Sequence, residues 1–393
     1  MSEQVREHPP NWPEPQHYGT ADVREDLWPR DDNSRVLDLE LRPRDEELGR
    51  VWIRDTYVNH FVVDGRSIYV ATGTTRAPEL TGAGPWNDGI FAWTAESLDG
   101  PWELVDTTGI RPDAERGKLW SPEFAAENAP GRTVVAPWQE YHGGEDRRGD
   151  VWAPELHFFR GTWYVVACMG DHSRKVGSFL LKSEGGLAGP YRVAEGNLVK
   201  PFGDLVGDAP DGVDPSVYHH IDGGLHTEGD RAWLVLHNHL YSEFRDDMED
   251  LVHTTDLPRF RQRPYDPEPY LEGAYVHRHE GKYYLVHAAW NRDAGDGRHA
   301  YDSGGDRYQY DAIIAVADSF AGPYSKRWTA GVGAGHNNLF TDADGRLWAT
   351  FFRNPAAGYW ADESRVGDAA VAGVVRMEWT GPDGERIYAR RRG

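Results

Sequence analysis

The chain has 393 residues, with 64 acidic against 42 basic side chains and a formal net charge of −22. That balance excludes the basic footprint of a nucleic-acid binder, and no stretch approaches the roughly 20 apolar residues of a membrane span. At 39% hydrophobic and 12% aromatic residues, the chain is too apolar for intrinsic disorder and long enough to bury a large core. The 16 Trp, 19 Tyr and 13 Phe, 48 aromatics in all, favour strands, while 44 Gly and 25 Pro favour turns, so the composition points to an all-β protein.

Residues 1–34 are Pro-rich and polar, with no period, and are expected to form an arm lying on a single domain of residues 35–393. The first residues, M-S-E-Q-V-R-E-H-P-P, lack the apolar core of a secretory signal, so a cytoplasmic location is expected. The segment V-L-D-L-E-L (36–41) alternates cleanly and predicts a strand that helps close the fold.

From there one pattern recurs: a turn with Gly, then a short aromatic and aliphatic strand. The copies are V-V-D-G-R-S-I-Y-V-A-T-G-T (62–74), F-F-R-G-T-W-Y-V-V-A-C-M-G (158–170), I-D-G-G-L-H-T-E-G-D-R-A-W-L-V-L-H (221–237), H-R-H-E-G-K-Y-Y-L-V-H-A-A-W (277–290) and L-F-T-D-A-D-G-R-L-W-A-T-F-F (339–352). Their anchoring aromatics are Tyr69, Tyr164, Trp233, Tyr284 and Trp348. Each copy reads as a hairpin. The single cysteine, Cys168, falls inside the second copy and reads as a small buried strand residue rather than a reactive thiol.

An apolar strand follows each hairpin, at 88–102, 177–191, 250–260, 311–324 and 369–379, and three of these end in Gly-Pro-aromatic. Hairpin plus outer strands, five times over, predicts five four-stranded blades and a five-bladed β-propeller, which closes such units without a long exposed edge. A two-sheet sandwich accommodates five paired units badly.

In a propeller the innermost strands converge on one axial funnel, so chemistry is expected from equivalent positions in different blades. Asp55 in W-I-R-D-T-Y-V-N precedes the first hairpin, Asp214 in D-G-V-D-P-S-V-Y the third, and Glu272 in Y-L-E-G-A-Y-V-H-R the fourth. Two carboxylates flanking a bond are what acid–base hydrolysis of a glycoside needs: one protonated for the leaving oxygen, one ionised to activate water or attack the sugar. A third can raise the acid's pKa by like-charge repulsion. The aromatic excess offers flat faces for sugar rings.

At these residues the chain resembles glycoside hydrolase family 43. The motifs are R-D-T-Y-V followed by D-G-x-x-x-Y-V-A-T-G-T, W-A-P-E-L-H-F (152–158), D-G-V-D-P-S-V-Y, E-G-A-Y-V-H-R-H-E-G-K-Y-Y-L and G-H-N-N-L-F-T-D-A-D-G-R-L-W, spanning about residues 50 to 380. The resemblance implies a five-bladed propeller that hydrolyses arabinose- or xylose-containing oligosaccharides with inversion and needs no cofactor for the chemistry. It implies Asp55 as general base, Asp214 as the group tuning the acid, and Glu272 as general acid, with the base and acid roughly 6.5–9.5 Å apart. His336, in G-A-G-H-N-N, matches a position near the axis where a histidine often stands beside a calcium ion, directly or through water. Trp86, Trp152, Glu155, His336 and Arg353 are the substrate-contact candidates, with Asn87, Arg54 and Arg292 as further polar neighbours. The family's usual D-P and E-G-P are here Asp55-Thr56 and Glu272-Gly273-Ala274, which alters the turn beside each carboxylate. The absent signal points to exo action on imported short arabinofuranosyl or xylosyl oligosaccharides. The alternatives are a family 117-like neoagaro-oligosaccharide hydrolase and a non-catalytic sugar-binding propeller.

Overall fold

A computed structural model of the protein describes residues 36–42, 51, 53–75, 89–110, 117–124, 137–140, 142–143, 147–148, 150–170, 175–202, 221–236, 240–254, 257–261, 271–290, 310–325, 327–331, 335–353, 371–380 and 385–389. Among them strands dominate, and the helical turns are two short 3-10 segments, Pro137–Glu140 and Glu195–Asn197. No helix among the described residues is long and apolar enough to cross a membrane. The residues expected to form the N-terminal arm lie outside the described set.

The repeats become five antiparallel sheets. Blade 1 orders Ile53–Val63, Arg66–Thr75, Trp93–Ala95 and Glu103–Leu104 from inside outward. Blade 2 orders Asp150–Phe159, Thr162–Gly170, Lys175–Gly186 and Gly189–Val193. Blade 3 holds Gly224–Glu228, Arg231–Val235 and Tyr241–Glu243. Blade 4 orders Leu271–His279, Lys282–Trp290, Tyr310–Ala317 and Trp328–Gly331, and blade 5 Leu339–Thr341, Leu347–Arg353 and Val371–Thr380. Val36–Asp38 pairs antiparallel with Val371–Thr380, so an N-terminal strand completes the last blade and closes the ring, as the alternation of V-L-D-L-E-L predicts.

Blade 3 departs from expectation. Its third strand is Tyr241–Glu243, and the described residues of the 250–260 segment contribute only isolated bridges, Phe244 to Leu251 and Leu240 to Arg259. That segment carries a Pro at 258 and polar residues through 253–256, which weaken strand alternation.

Local chemistry explains the hairpins. Asp64–Gly65, Arg160–Gly161 and Glu280–Gly281 all have both φ values positive, between 48° and 81°. That is the two-residue turn whose twist matches its flanking strands. The Gly-Pro-aromatic ends repeat just as closely. Trp102 Nε1 donates to Leu98 O (3.1 Å), Tyr191 Oη to Leu187 O (2.7 Å) and Tyr324 Oη to Phe320 O (2.8 Å). Each aromatic buries its ring and still satisfies its polar tip.

The apolar side chains sort into five clusters, one for each contact between neighbouring blades: 1 with 2, 2 with 3, 3 with 4, 4 with 5, and 5 with 1. Phe179, for example, sits between Trp120 and Trp138, with centroids 5.1 and 4.8 Å away. A matching ring of polar contacts joins the inner strands, with the second strand of blade 1 also taking part. Thr72 Oγ1 donates to Pro154 O (2.5 Å), and Leu225 N to Glu155 Oε2 (3.1 Å). His226 Nδ1 donates to Val276 O (3.1 Å), and His277 bonds the backbone of Leu339. Asn338 closes the circle, donating to Val58 O (2.7 Å) and accepting from Val58 N (3.1 Å). The inner edge of each blade is thereby satisfied by its neighbour, which fixes how the blade mouths face each other.

Farther out, Glu249 clasps blade 3 to blade 2. It accepts from both Arg192 Nη atoms (2.8 and 2.5 Å), Lys182 Nζ (2.7 Å) and Glu195 N (3.1 Å). Burial pushes its carboxyl up, but these donors pull it down to about 2. A depressed carboxylate stabilises the fold above its unfolded pKa and ceases to do so as pH falls through the folded value. Glu249→Gln is therefore expected to cost about 2 kcal/mol at neutral pH, and denaturant unfolding at pH 7 and pH 3 should show that difference shrinking in acid.

Candidate active site

Each inner strand enters the ring through the same irregularity. Asp55, Ala153, Asp222, Gly273 and His336, one per blade, all have left-handed backbone, with φ of 51°, 46°, 52°, 57° and 52°. In blades 1, 2 and 4 this residue is the extra one of a β-bulge, where the register shifts between Arg54 and Tyr57, Trp152 and Glu155, and Glu272 and Tyr275. A bulge at a strand end re-aims the neighbouring side chain. Arg54, Trp152 and Glu272, the residues just before it, are half-buried, whereas the left-handed residues that follow them are buried.

The equivalence assembles a charged cluster around His336. Its Nδ1 lies 3.3 Å from Asp55 Oδ1 and 3.9 Å from Asp222 Oδ2. Glu272 joins through the main chain of Gly273, which runs so close to the imidazole that a Cβ there would stand 2.9 Å from its ring carbons. That contact and the φ of 57° are why glycine follows the carboxylate. Burial would push the His336 imidazole down, but Asp55, Asp222, Glu272 and Glu155 together raise it above its ordinary value. His336 therefore keeps its proton to higher pH than a free imidazole, and the stabilisation this brings is complete below pH 6.5 and lost as pH rises through the folded value.

Asp55 is held from three sides. Thr74 Oγ1 donates to Oδ2 (2.7 Å), Arg54 Nε lies 3.7 Å from Oδ1, and His336 approaches the same Oδ1. Burial pushes this carboxyl up; Arg54, His336 and the Thr74 hydroxyl outweigh it and hold the group below the usual aspartate value. It is thus kept ionised, as a base must be.

Glu155 is buried, and its Oε2 accepts from Leu225 N (3.1 Å) and pairs with His157 Nε2 (2.9 Å). His157 Nδ1 in turn meets the hydroxyl of Tyr57 (3.2 Å), which also accepts from Asn59 Nδ2 (2.8 Å). This side chain therefore joins blades 2 and 3 as well as adding charge near His336.

Asp214, Trp86, Asn87 and Arg292 lie outside the described residues. Arg353 ends the second strand of blade 5, at the level of the other blade mouths, with Val371 as its partner. Asp222 escapes the sequence reading altogether. Its signal was spacing: Asp55 precedes its anchor Tyr69 by 14 residues and Glu272 precedes Tyr284 by 12, whereas Asp222 precedes Trp233 by 11 and Asp214 by 19.

The donors do not fit a protein-held calcium ion. Calcium prefers six or more oxygen ligands, His336 turns Nδ1 to two carboxylates with its proton affinity raised, and no three His, Cys, Asp or Glu among the described residues group to hold a metal.

Carboxylates drawn from separate blades onto one axis are the equipment of acid–base glycoside hydrolysis, and with the five-bladed ring they define a propeller of the glycoside hydrolase class. The profile of glycosyl hydrolases family 43 matches residues 132–384, more than half of the chain, and the chain belongs to that family. The matched stretch takes in blades 2 to 5; blade 1, with Asp55, precedes it. Solved structures agree in fold. A thermostable family-43 glycoside hydrolase is 18% identical, with a TM-score of 0.51 over 88% of this chain and 94% of its own. An endo-1,4-beta-xylanase from Bacteroides thetaiotaomicron is 16% identical (TM-score 0.52; 87% and 95% covered). An exo-1,5-alpha-L-arabinanase from a bovine ruminal metagenomic library is 15% identical (TM-score 0.52; 86% and 97% covered). No curated protein sequence matches the chain.

Proposed function

We propose that the protein is an inverting, exo-acting glycosidase that removes arabinofuranosyl or xylosyl units from short oligosaccharides. The observation carrying this reading is the convergence on one imidazole of Asp55, Asp222 and the chain at Glu272–Gly273. Asp55, kept ionised, takes the proton of the attacking water. Glu272 gives a proton to the leaving oxygen. Asp222 shares the left-handed backbone of Asp55 at the mouth of blade 3, and we assign it the place of the third carboxylate of the site. Trp152, half-buried at the mouth of blade 2, is assigned a face for the sugar ring. The relatives with arabinanase and xylanase names support a pentose-containing substrate.

Purified protein assayed on nitrophenyl arabinofuranoside, xyloside and galactofuranoside tests the reading; turnover of the first or second supports it, and turnover of none removes it. The third carboxylate has its own test. Asp222→Asn, which tolerates the left-handed backbone, should lower kcat by about 10²-fold, while Asp214→Asn should change it less than threefold, within about 1 kcal/mol. The reverse order would return the role to Asp214.

A further inference from the structure

We infer that Thr74 is a positioning residue for Asp55, holding carboxylate oxygen Oδ2 so that Oδ1 stays turned toward the axis. The inference rests on the reading of Asp55 as the base. Thr74 is buried on the second strand of blade 1, opposite Arg54. Its hydroxyl receives the Ala153 amide of blade 2 at 2.8 Å and lies 2.7 Å from Asp55 Oδ2. An amide N–H only donates, so the hydroxyl must accept from Ala153, and its single proton is left for the carboxylate. The order is therefore fixed: Ala153 N–H to Thr74 Oγ1, Thr74 O–H to Asp55 Oδ2. Ala153 is itself the left-handed bulge residue of its blade, so the contact between two blade mouths sets the direction of the base.

The residue at this repeat position differs from blade to blade. The position opposite the residue before each bulge is Thr74 in blade 1, Cys168 in blade 2 and Ala288 in blade 4. Cys168 Sγ reaches across to blade 3, 3.5 Å from Asp222 Oδ1, whereas Thr74 meets the aspartate of its own blade. Ala288, opposite Glu272, offers no side-chain donor. A donor to a carboxylate favours its ionised form, which suits a base.

The test compares wild type with Thr74→Val, which keeps the shape and loses the hydroxyl, Thr74→Ser, which keeps the hydroxyl, and Thr74→Cys, which places the blade-2 residue in blade 1. Asp55 is titrated directly by ¹³C NMR of Asp-labelled protein, assigned with Asp55→Asn, and the acid limb of kcat/KM is measured beside it. Thr74→Val should raise the Asp55 titration and move the acid limb up by about one pH unit, so that kcat/KM below the limb falls about tenfold. Thr74→Ser should match wild type and Thr74→Cys should fall between; if the valine variant does not fold, the cysteine variant carries the comparison. A residue acting only on stability would lower the unfolding midpoint and leave both titrations in place, and that result overturns the inference. If wild type hydrolyses no glycoside, the reading of Asp55 as a base falls and the inference with it. An unchanged Asp55 titration in an active enzyme overturns the role of Thr74 alone.

Discussion

Replacing Asp55 by Asn should lower kcat on any cleaved glycoside by about 10²–10⁴-fold and leave the fold intact. Two features make asparagine the right probe. The backbone at residue 55 is left-handed, with φ of 51°, a conformation Asn adopts readily and Ala only with strain. The Asn side chain also keeps an oxygen to accept from Thr74 Oγ1. What disappears is the negative charge facing Arg54 and His336, and with it the capacity to take a proton from water. A second consequence follows at His336. Asp55 is the largest of the carboxylate influences that raise its imidazole, so the variant's His336 should titrate lower than wild type in a proton NMR titration. Circular dichroism together with steady-state kinetics checks the first expectation; a variant with native spectrum and native kcat contradicts it.

Glu272→Gln should discriminate between leaving groups. A general acid matters in proportion to how poorly the leaving oxygen departs without a proton. An unactivated sugar leaving group should therefore lose about 10²–10⁴-fold, and a nitrophenyl group, which departs readily as its anion, far less. The ratio of the two losses is the signature, since a substitution that merely loosened the mouth would penalise both substrates alike. Gln preserves the shape of the side chain, and the neighbouring Gly273, packed on the His336 ring, is untouched. Side-by-side kinetics on a nitrophenyl glycoside and a disaccharide of the same sugar decide the point; equal losses would deny Glu272 the acid role.

The blades were legible because their signals are local. A turn glycine, alternating apolar residues and one anchoring aromatic recur in every hairpin, and the burial of Tyr69, Tyr164, Trp233 and Tyr284 follows from that pattern alone. Ring closure was legible for the same reason, through V-L-D-L-E-L. The blade mouths were only half legible. The left-handed residue is Asp, Ala, Asp, Gly and His in the five blades, so no residue type marks it, and D-P-S-V-Y drew attention to Asp214 while Asp222 lay eight residues on. Thr74 had no signal of its own. Its meaning comes from the approach of Ala153 across a blade boundary, and such contacts depend on how two blades pack, which neither sequence states alone. The crowding of Asp55, Asp222 and Glu272 about His336 is likewise a product of the closed ring.

In the proposed reaction these carboxylates cleave a glycosidic bond with water delivered by Asp55 to the face opposite the departing group. Proton NMR of the sugar released from an arabinofuranoside or xyloside, recorded before the anomers equilibrate, tests it most directly. The first-formed sugar should have inverted anomeric configuration and be absent from the Asp55→Asn reaction; a product of retained configuration, or none from the wild-type protein, would rule this mechanism out.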